Sequence, residues 1–132
     1  MKFTNVAKTE EIPVGTMKHF EISGKEILIA NVNGKYFAVV DRCGHMNMRL
    51  SLGTLTDNIV TCPLHYSRFD VMTGKVVSGP HIMTVDELKK YNMPDEMLKM
   101  ADQMNESMRS IKTYDLTVFR IKVKGNDIMV YI

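Results

Sequence analysis

The 132-residue chain has no tryptophan, only two cysteines, four prolines and a formal net charge of just +2. Each shortage removes a class of protein. Two cysteines cannot build the multi-bridge framework of a small secreted domain. A near-neutral charge with scattered basic residues leaves no electrostatic footprint for nucleic acid or an anionic membrane surface. No run approaches the roughly eighteen apolar residues of a membrane span. The opening residues, MKFTNVAKTEEIP, turn acidic before any apolar stretch, so no secretory leader is expected and a cytoplasmic, thiol-preserving location is the default. The length suits one domain, 1–132, with a modest core. Methionine is the residue in surplus, with twelve copies, and reads as flexible core filler.

Strand signals fill the first forty residues. Phe20 and Ile22 alternate with polar neighbours, and Ser23-Gly24-Lys25 is a turn. Ile27 to Val32 is apolar and β-branched. Asn33-Gly34 is a strong hairpin signal, and Tyr36 to Val40 returns. Residues 41–80 are loop-rich, with turn residues at Gly53-Thr54, Asp57-Asn58, Thr73-Gly74 and Ser78-Gly79-Pro80, and room only for short strands such as Ile59 to Thr61. Such a region has little core of its own and calls for a metal or a cross-link.

Residues 84–111 switch to helical period. Thr84 and Glu87 fit a capping box, and Pro94-Asp95-Glu96 opens a second, longer helix. Met97, Met100, Ala101, Met104, Met108 and Ile111 share one face of it, which is expected to pack on the sheet, with a docking face for a partner as the rival reading. Tyr114, Leu116, Val118 and Arg120 to Lys124 alternate again, Gly125-Asn126-Asp127 turns, and Ile128 to Ile132 pairs back. The expected fold is all-β: an antiparallel β-sandwich with a small loop-rich subdomain at 41–80 and a helical insertion at 84–111 before the last strands.

The chemistry sits in two short motifs. Cys43-Gly44-His45 and Cys62-Pro63-Leu64-His65 place a histidine just after each cysteine, with sixteen residues between the pairs. Thiolate and imidazole suit zinc, copper or iron–sulfur iron. A single tetrahedral zinc accepts these four ligands, so a Cys2His2 structural or binding module stays open as the alternative. The alternation favours two irons, because two facing turns can give both cysteines to one iron and both histidines to the other. That is Rieske ligation. Neutral imidazole replaces thiolate, so an added electron meets less negative charge and the potential rises.

The sequence resembles the Rieske-type ferredoxins. DRCGHMNMRLSLGTL is similar to the family's first cluster loop and CPLHYSRFDVMTGKV to its second. SGP at 78–80 is similar to the proline loop over the cluster, and ILIANVNGKYFAVV to the hairpin leading into the first loop. The resemblance covers roughly residues 8–80 and the strands from about 112. It implies a [2Fe–2S] cluster held by Cys43, His45, Cys62 and His65, with Ser67, Tyr66 and Pro80 as candidates for its surroundings. It implies a one-electron carrier rather than an enzyme. The expected partners are a reductase and an oxygenase or other oxidoreductase, with neither nucleic acid nor a membrane span involved. His19 reads as a surface residue and His81 as an exposed loop histidine.

The departures carry information. Respiratory Rieske proteins have an extra disulfide between the two cluster loops. Here Met48 or its neighbours and Leu64 stand in those places, and no third cysteine exists, which favours the ferredoxin branch. Ser67 stands at a serine position that raises the potential in high-potential members, whereas Phe69 replaces a tyrosine, so an intermediate-to-low potential is expected. Asn47 and Tyr66 stand where the family often has glycine. If Tyr66 has positive φ, either strain is stored there or the backbone differs; shielding of the cluster by the ring is the other reading.

Overall fold

A computed structural model describes residues 1–44, 48–64, 66–79, 85–109 and 112–132. The architecture is antiparallel β throughout, with a helical pair late in the chain. The strands are β1 (Phe3–Lys8), β2 (Met17–Ile22), β3 (Lys25–Val32), β4 (Lys35–Val40), β5 (Thr54–Thr56), β6 (Ile59–Thr61), β7 (Arg68–Asp70), β8 (Val76–Ser78), β9 (Val118–Phe119), β10 (Ile121–Lys124) and β11 (Asp127–Tyr131). The helices are α1 (Val85–Lys89) and α2 (Asp95–Arg109). Among the described residues they form three sheets, ordered β1-β11-β10, β2-β3-β4-β9 and β5-β6-β7-β8.

Local chemistry accounts for the central sheet. Ser23-Gly24 and Asn33-Gly34 both have positive φ at the two turn residues, the I′ geometry whose twist matches the flanking strands. The β2–β3 and β3–β4 ladders therefore run in unbroken register, Phe20 opposite Ile27 and Ile29 opposite Ala38. Residues 27–32 of β3 are buried on both faces. Its two sets of side chains feed two separate cores. Ile27 and Ile29 join Ala7, Ile12, Ala38, Ile128 and Val130 under the β1-β11-β10 sheet. Leu28, Ala30 and Val32 join Val39, Leu50, Val60, Phe69, Val71 and Leu116 on the other side, and both cysteines belong to that second core. The antiparallel sandwich expected from the alternation is thus observed, and its central sheet lies between the terminal strands and the loop-rich segment.

The helical segment differs from expectation in its facing. Helix α2 begins at Asp95, directly after Pro94, as the capping chemistry predicts. Met97, Met100 and Met104 are exposed, however, so these three methionines do not pack on the sheet. Leu98 is the buried residue, one position round the helix. The physical reason is the neighbour: α2 packs against the short helix α1, and the seam forms around Leu98 beside Lys89. Thr84, Pro80, His81 and Ile111 lie outside the described residues, and the side chain of Met108 is likewise not described.

Candidate iron–sulfur centre

Cys43 follows the end of β4 and Cys62 follows β6. Both turns close in the same way. The N–H of Cys43 donates to the carbonyl of Met48 at 2.6 Å, and the N–H of Cys62 donates to the carbonyl of Ser67 at 2.8 Å. Each cysteine thus opens a turn that returns five residues later. The two side chains are 5% and 1% exposed, share one apolar core, and are not joined as a disulfide. The fold therefore brings together the two expected cysteine ligands. His45 and His65 lie outside the described residues.

Close backbone packing holds these turns. A Cβ on Gly44 would stand 1.9 Å from the carbonyl oxygen of Tyr114, and one on Gly53 would stand 1.9 Å from that of Thr61. The glycine in Cys43-Gly44-His45 is therefore a steric requirement, because the segment leading to the last strands crosses directly over it and Tyr114 N–H donates to its carbonyl at 2.9 Å.

Ser67 offers the test of whether these residues fit a cluster. It is fully buried, and its Oγ has no hydrogen-bond partner among the described residues. A buried hydroxyl without a partner costs about 1–3 kcal/mol, so the site calls for an acceptor beyond the described residues. It lies five residues beyond Cys62, whose turn it closes. A sulfur of a cluster held by the cysteines is such an acceptor, and the donor set of buried thiols beside a buried hydroxyl fits the group. Phe69 is fully buried in the same core and brings no polar atom. Tyr66 does adopt positive φ, +64°, so the backbone keeps the left-handed form and the tyrosine bears the strain. Its side chain is 58% exposed.

One cluster of residues was not legible as functional. His19 is half-buried rather than a surface residue, and its Nδ1 donates to Asp41 Oδ2. Asp41 is fully buried, two residues before Cys43. It also accepts from Ser51, from N–H at 2.8 Å and from Oγ at 2.5 Å. The one hint in the sequence is an acidic residue directly after an apolar strand; burial of a carboxylate is a tertiary fact that no local pattern announces.

Residues 2–92 match the family model described as the Rieske [2Fe-2S] domain. The ferredoxin component of biphenyl 2,3-dioxygenase from Rhodococcus jostii (strain RHA1) is 39% identical over 80 residues, 61% of this chain and 75% of that protein. The ferredoxin component of the naphthalene 1,2-dioxygenase/salicylate 5-hydroxylase systems of Ralstonia sp. is 35% identical over 100 residues, 76% of this chain and 93% of the relative. Among solved structures, the ferredoxin of carbazole 1,9a-dioxygenase from Nocardioides aromaticivorans IC177 superposes with a TM-score of 0.71 at 20% identity, covering 98% of this chain and 97% of its own. That last match speaks for the fold. Nothing in the geometry or in these similarities favours the zinc module. The chain belongs to the Rieske [2Fe–2S] family: it binds a two-iron cluster and carries electrons on it.

Proposed function

We propose that Cys43 and Cys62 ligate one iron of the cluster and His45 and His65 the other. In this reading the chain is the ferredoxin of an aromatic-ring dioxygenase system, taking single electrons from a reductase and passing them to an oxygenase. The observation that carries the ligand assignment is the pair of buried cysteines in one core, each opening a turn of the same closure, beside a buried serine hydroxyl with no partner among the described residues. The partner assignment rests on the relatives, which are ferredoxin components of biphenyl and naphthalene dioxygenase systems, and on a solved complex of reduced oxygenase with oxidized ferredoxin that shares the fold (TM-score 0.70, 23% identity). We also take the chain as one domain, 1–132, with 41–80 as its cluster-binding part, 84–111 as an insertion, and the cytoplasm as its compartment.

When bound, the cluster accepts and releases one electron, with imidazole ligands raising its potential above that of an all-cysteine cluster. The protein's own residues shape that step. The apolar core around Cys43 and Cys62 keeps water from the cysteine side. The Ser67 hydroxyl would donate toward a sulfur of the bound cluster and so favour the more negative, reduced state. In this reading His45 and His65, as ligands of the second iron, would be the groups through which an electron leaves.

The test is chemical analysis followed by reconstitution. Purified protein is expected to be coloured, to contain iron and acid-labile sulfide, and to bleach on reduction. Cys62→Ser is expected to abolish all three. With a reductase and a biphenyl- or naphthalene-type dioxygenase it is expected to support product formation. A colourless, zinc-containing protein sinks the ligand assignment. A loaded cluster that reduces no such oxygenase sinks the partner assignment alone.

A further inference from the structure

The two ligand turns are held by different means. The second is mounted on a ladder: Thr61 and Arg68, immediately outside Cys62 and Ser67, are paired strand residues of β6 and β7. The first has no such mount. On its entering side β4 ends at Val40, and Asp41 N–H still donates to Glu26 on β3 at 3.0 Å. On its leaving side the chain runs into a 3-10 turn, Leu50–Leu52, which is not a strand and pairs with none among the described residues. What spans the stem is a side chain. Asp41 reaches across to Ser51 and takes both its N–H and its hydroxyl, while His19 of β2 donates to the same carboxylate and Arg49 Nε stands 3.8 Å from it.

His19 and Ser51 are hydrogen-bond donors to it, and the carboxylate is fully buried. An isolated buried carboxylate is costly, so it persists only because the donors meet it from several directions. Those donors come from β2 and from Ser51 in the middle of the 3-10 segment, with Arg49 at its N-cap nearby but beyond hydrogen-bond reach. The carboxylate therefore fixes three pieces of chain at one point, two residues before Cys43. His19 and Arg49 are the cationic or potentially cationic groups that face it.

We infer that Asp41 is the positioning residue of the first ligand turn: its side chain replaces the missing strand ladder and sets the pose in which Cys43 and His45 meet the cluster. This rests on the ligand assignment proposed above. A buried carboxylate so close to the first cysteine also places negative charge near the redox centre, which disfavours reduction.

The experiment compares wild type, Asp41→Asn and Ser51→Ala as loaded proteins, by voltammetric midpoint potential, the EPR spectrum of the reduced state, and iron and sulfide per chain. Asp41→Asn keeps the shape but removes the charge and one acceptor. It is expected to shift the midpoint potential to more positive values, to alter the EPR g-values, and to lower cluster retention several-fold. Ser51→Ala cuts one of the two ties across the stem and is expected to alter the EPR spectrum with a smaller loss of retention. Potential and EPR unchanged in loaded Asp41→Asn, even with a lower melting temperature, overturn the inference, because a merely structural residue would give that result. If Asp41→Asn does not fold, an unchanged spectrum in Ser51→Ala overturns it equally, and a changed one supports it. Absence of iron and sulfide from the wild type would instead defeat the ligand assignment.

Discussion

Substituting Gly44 by alanine puts the packing of the first ligand turn to the test. The new Cβ would lie 1.9 Å from the carbonyl oxygen of Tyr114, 2.9 Å from its carbon and 3.2 Å from its nitrogen. All three are backbone atoms, so no rotamer change relieves the clash. The crossing segment must retreat by about 1 Å, an overpacking penalty of about 1–3 kcal/mol. The same movement breaks the 2.9 Å hydrogen bond from Tyr114 N–H to the Gly44 carbonyl, at about 1 kcal/mol. Together these give a destabilisation of about 2–4 kcal/mol, or a fall in melting temperature on the order of 10 °C for a domain of this size. Gly79→Ala is the built-in control. No described atom lies within 4 Å of its added Cβ, and its φ is not left-handed. It is expected to be neutral or to stabilise by a few tenths of a kcal/mol through the unfolded chain. Melting curves followed by far-UV circular dichroism and by loss of visible absorbance read both the fold and the cluster. A Gly44→Ala protein that melts with the wild type would refute the close crossing at Tyr114.

Ser67→Ala is expected to move the midpoint potential to more negative values with little change in melting temperature, since it removes a buried donor that has no acceptor among the described residues; an unchanged potential would show that the hydroxyl does not face the cluster. Tyr66→Gly is expected not to destabilise, because relief of positive φ, about 1–2 kcal/mol, offsets the greater flexibility of glycine and the partial contacts of an exposed ring; a clearly lower melting temperature would mean that the ring packs. The Lys8–Asp127 pair ties β1 to the start of β11. The hydrogen bond from Lys8 holds the Asp127 carboxyl below its ordinary value of 3.8. A lowered folded-state value gives stability that is present at neutral pH and lost as the pH falls through that ordinary value toward the lower folded one. Lys8→Ala should therefore be less stable than wild type at pH 7 and converge with it at strongly acid pH, as read from urea midpoints across pH.

The elements written in local chemistry were legible. The two I′ hairpins around β3 follow from Ser23-Gly24 and Asn33-Gly34, and the limits of β6, Ile59–Thr61, follow from a short β-branched run between turns. Strands β5, β7 and β8 have three residues each and too little alternation to announce themselves; they exist because each pairs with the next. The face of α2 misled for another reason. Period 3.6 says which residues share a face but not which face finds a partner, and the neighbouring helix α1 meets Leu98 rather than the exposed methionines. At the site, Cys43 and Cys62 were evident from type and spacing. Asp41 was not, because its role depends on Ser51 and His19, residues ten and twenty-two positions away that only the fold brings together.

The helical pair raises the question of how a carrier of this family accommodates an extra segment before its last strands. An alignment of 100 residues spans 76% of this chain but 93% of the Ralstonia ferredoxin, so this chain is longer by roughly a fifth. The two helices from Val85 to Arg109 are of that order. Their roots explain the tolerance. Before them, β8 is tied to the returning chain by Val76 N–H donating to Asp115 Oδ1 at 2.9 Å. After them, Tyr114 N–H bonds to Gly44 and Leu116 N–H bonds to Gly74 at 2.7 Å. The chain thus leaves and re-enters at points already pinned to each other, and closing a longer loop between fixed points adds only about 0.6 kcal/mol per doubling of length. Re-entry, however, occurs directly over the glycine between Cys43 and His45. Length added in this connection therefore costs little, whereas a shift of its re-entry point by even one residue would move Tyr114 off Gly44 and disturb the turn that Cys43 opens.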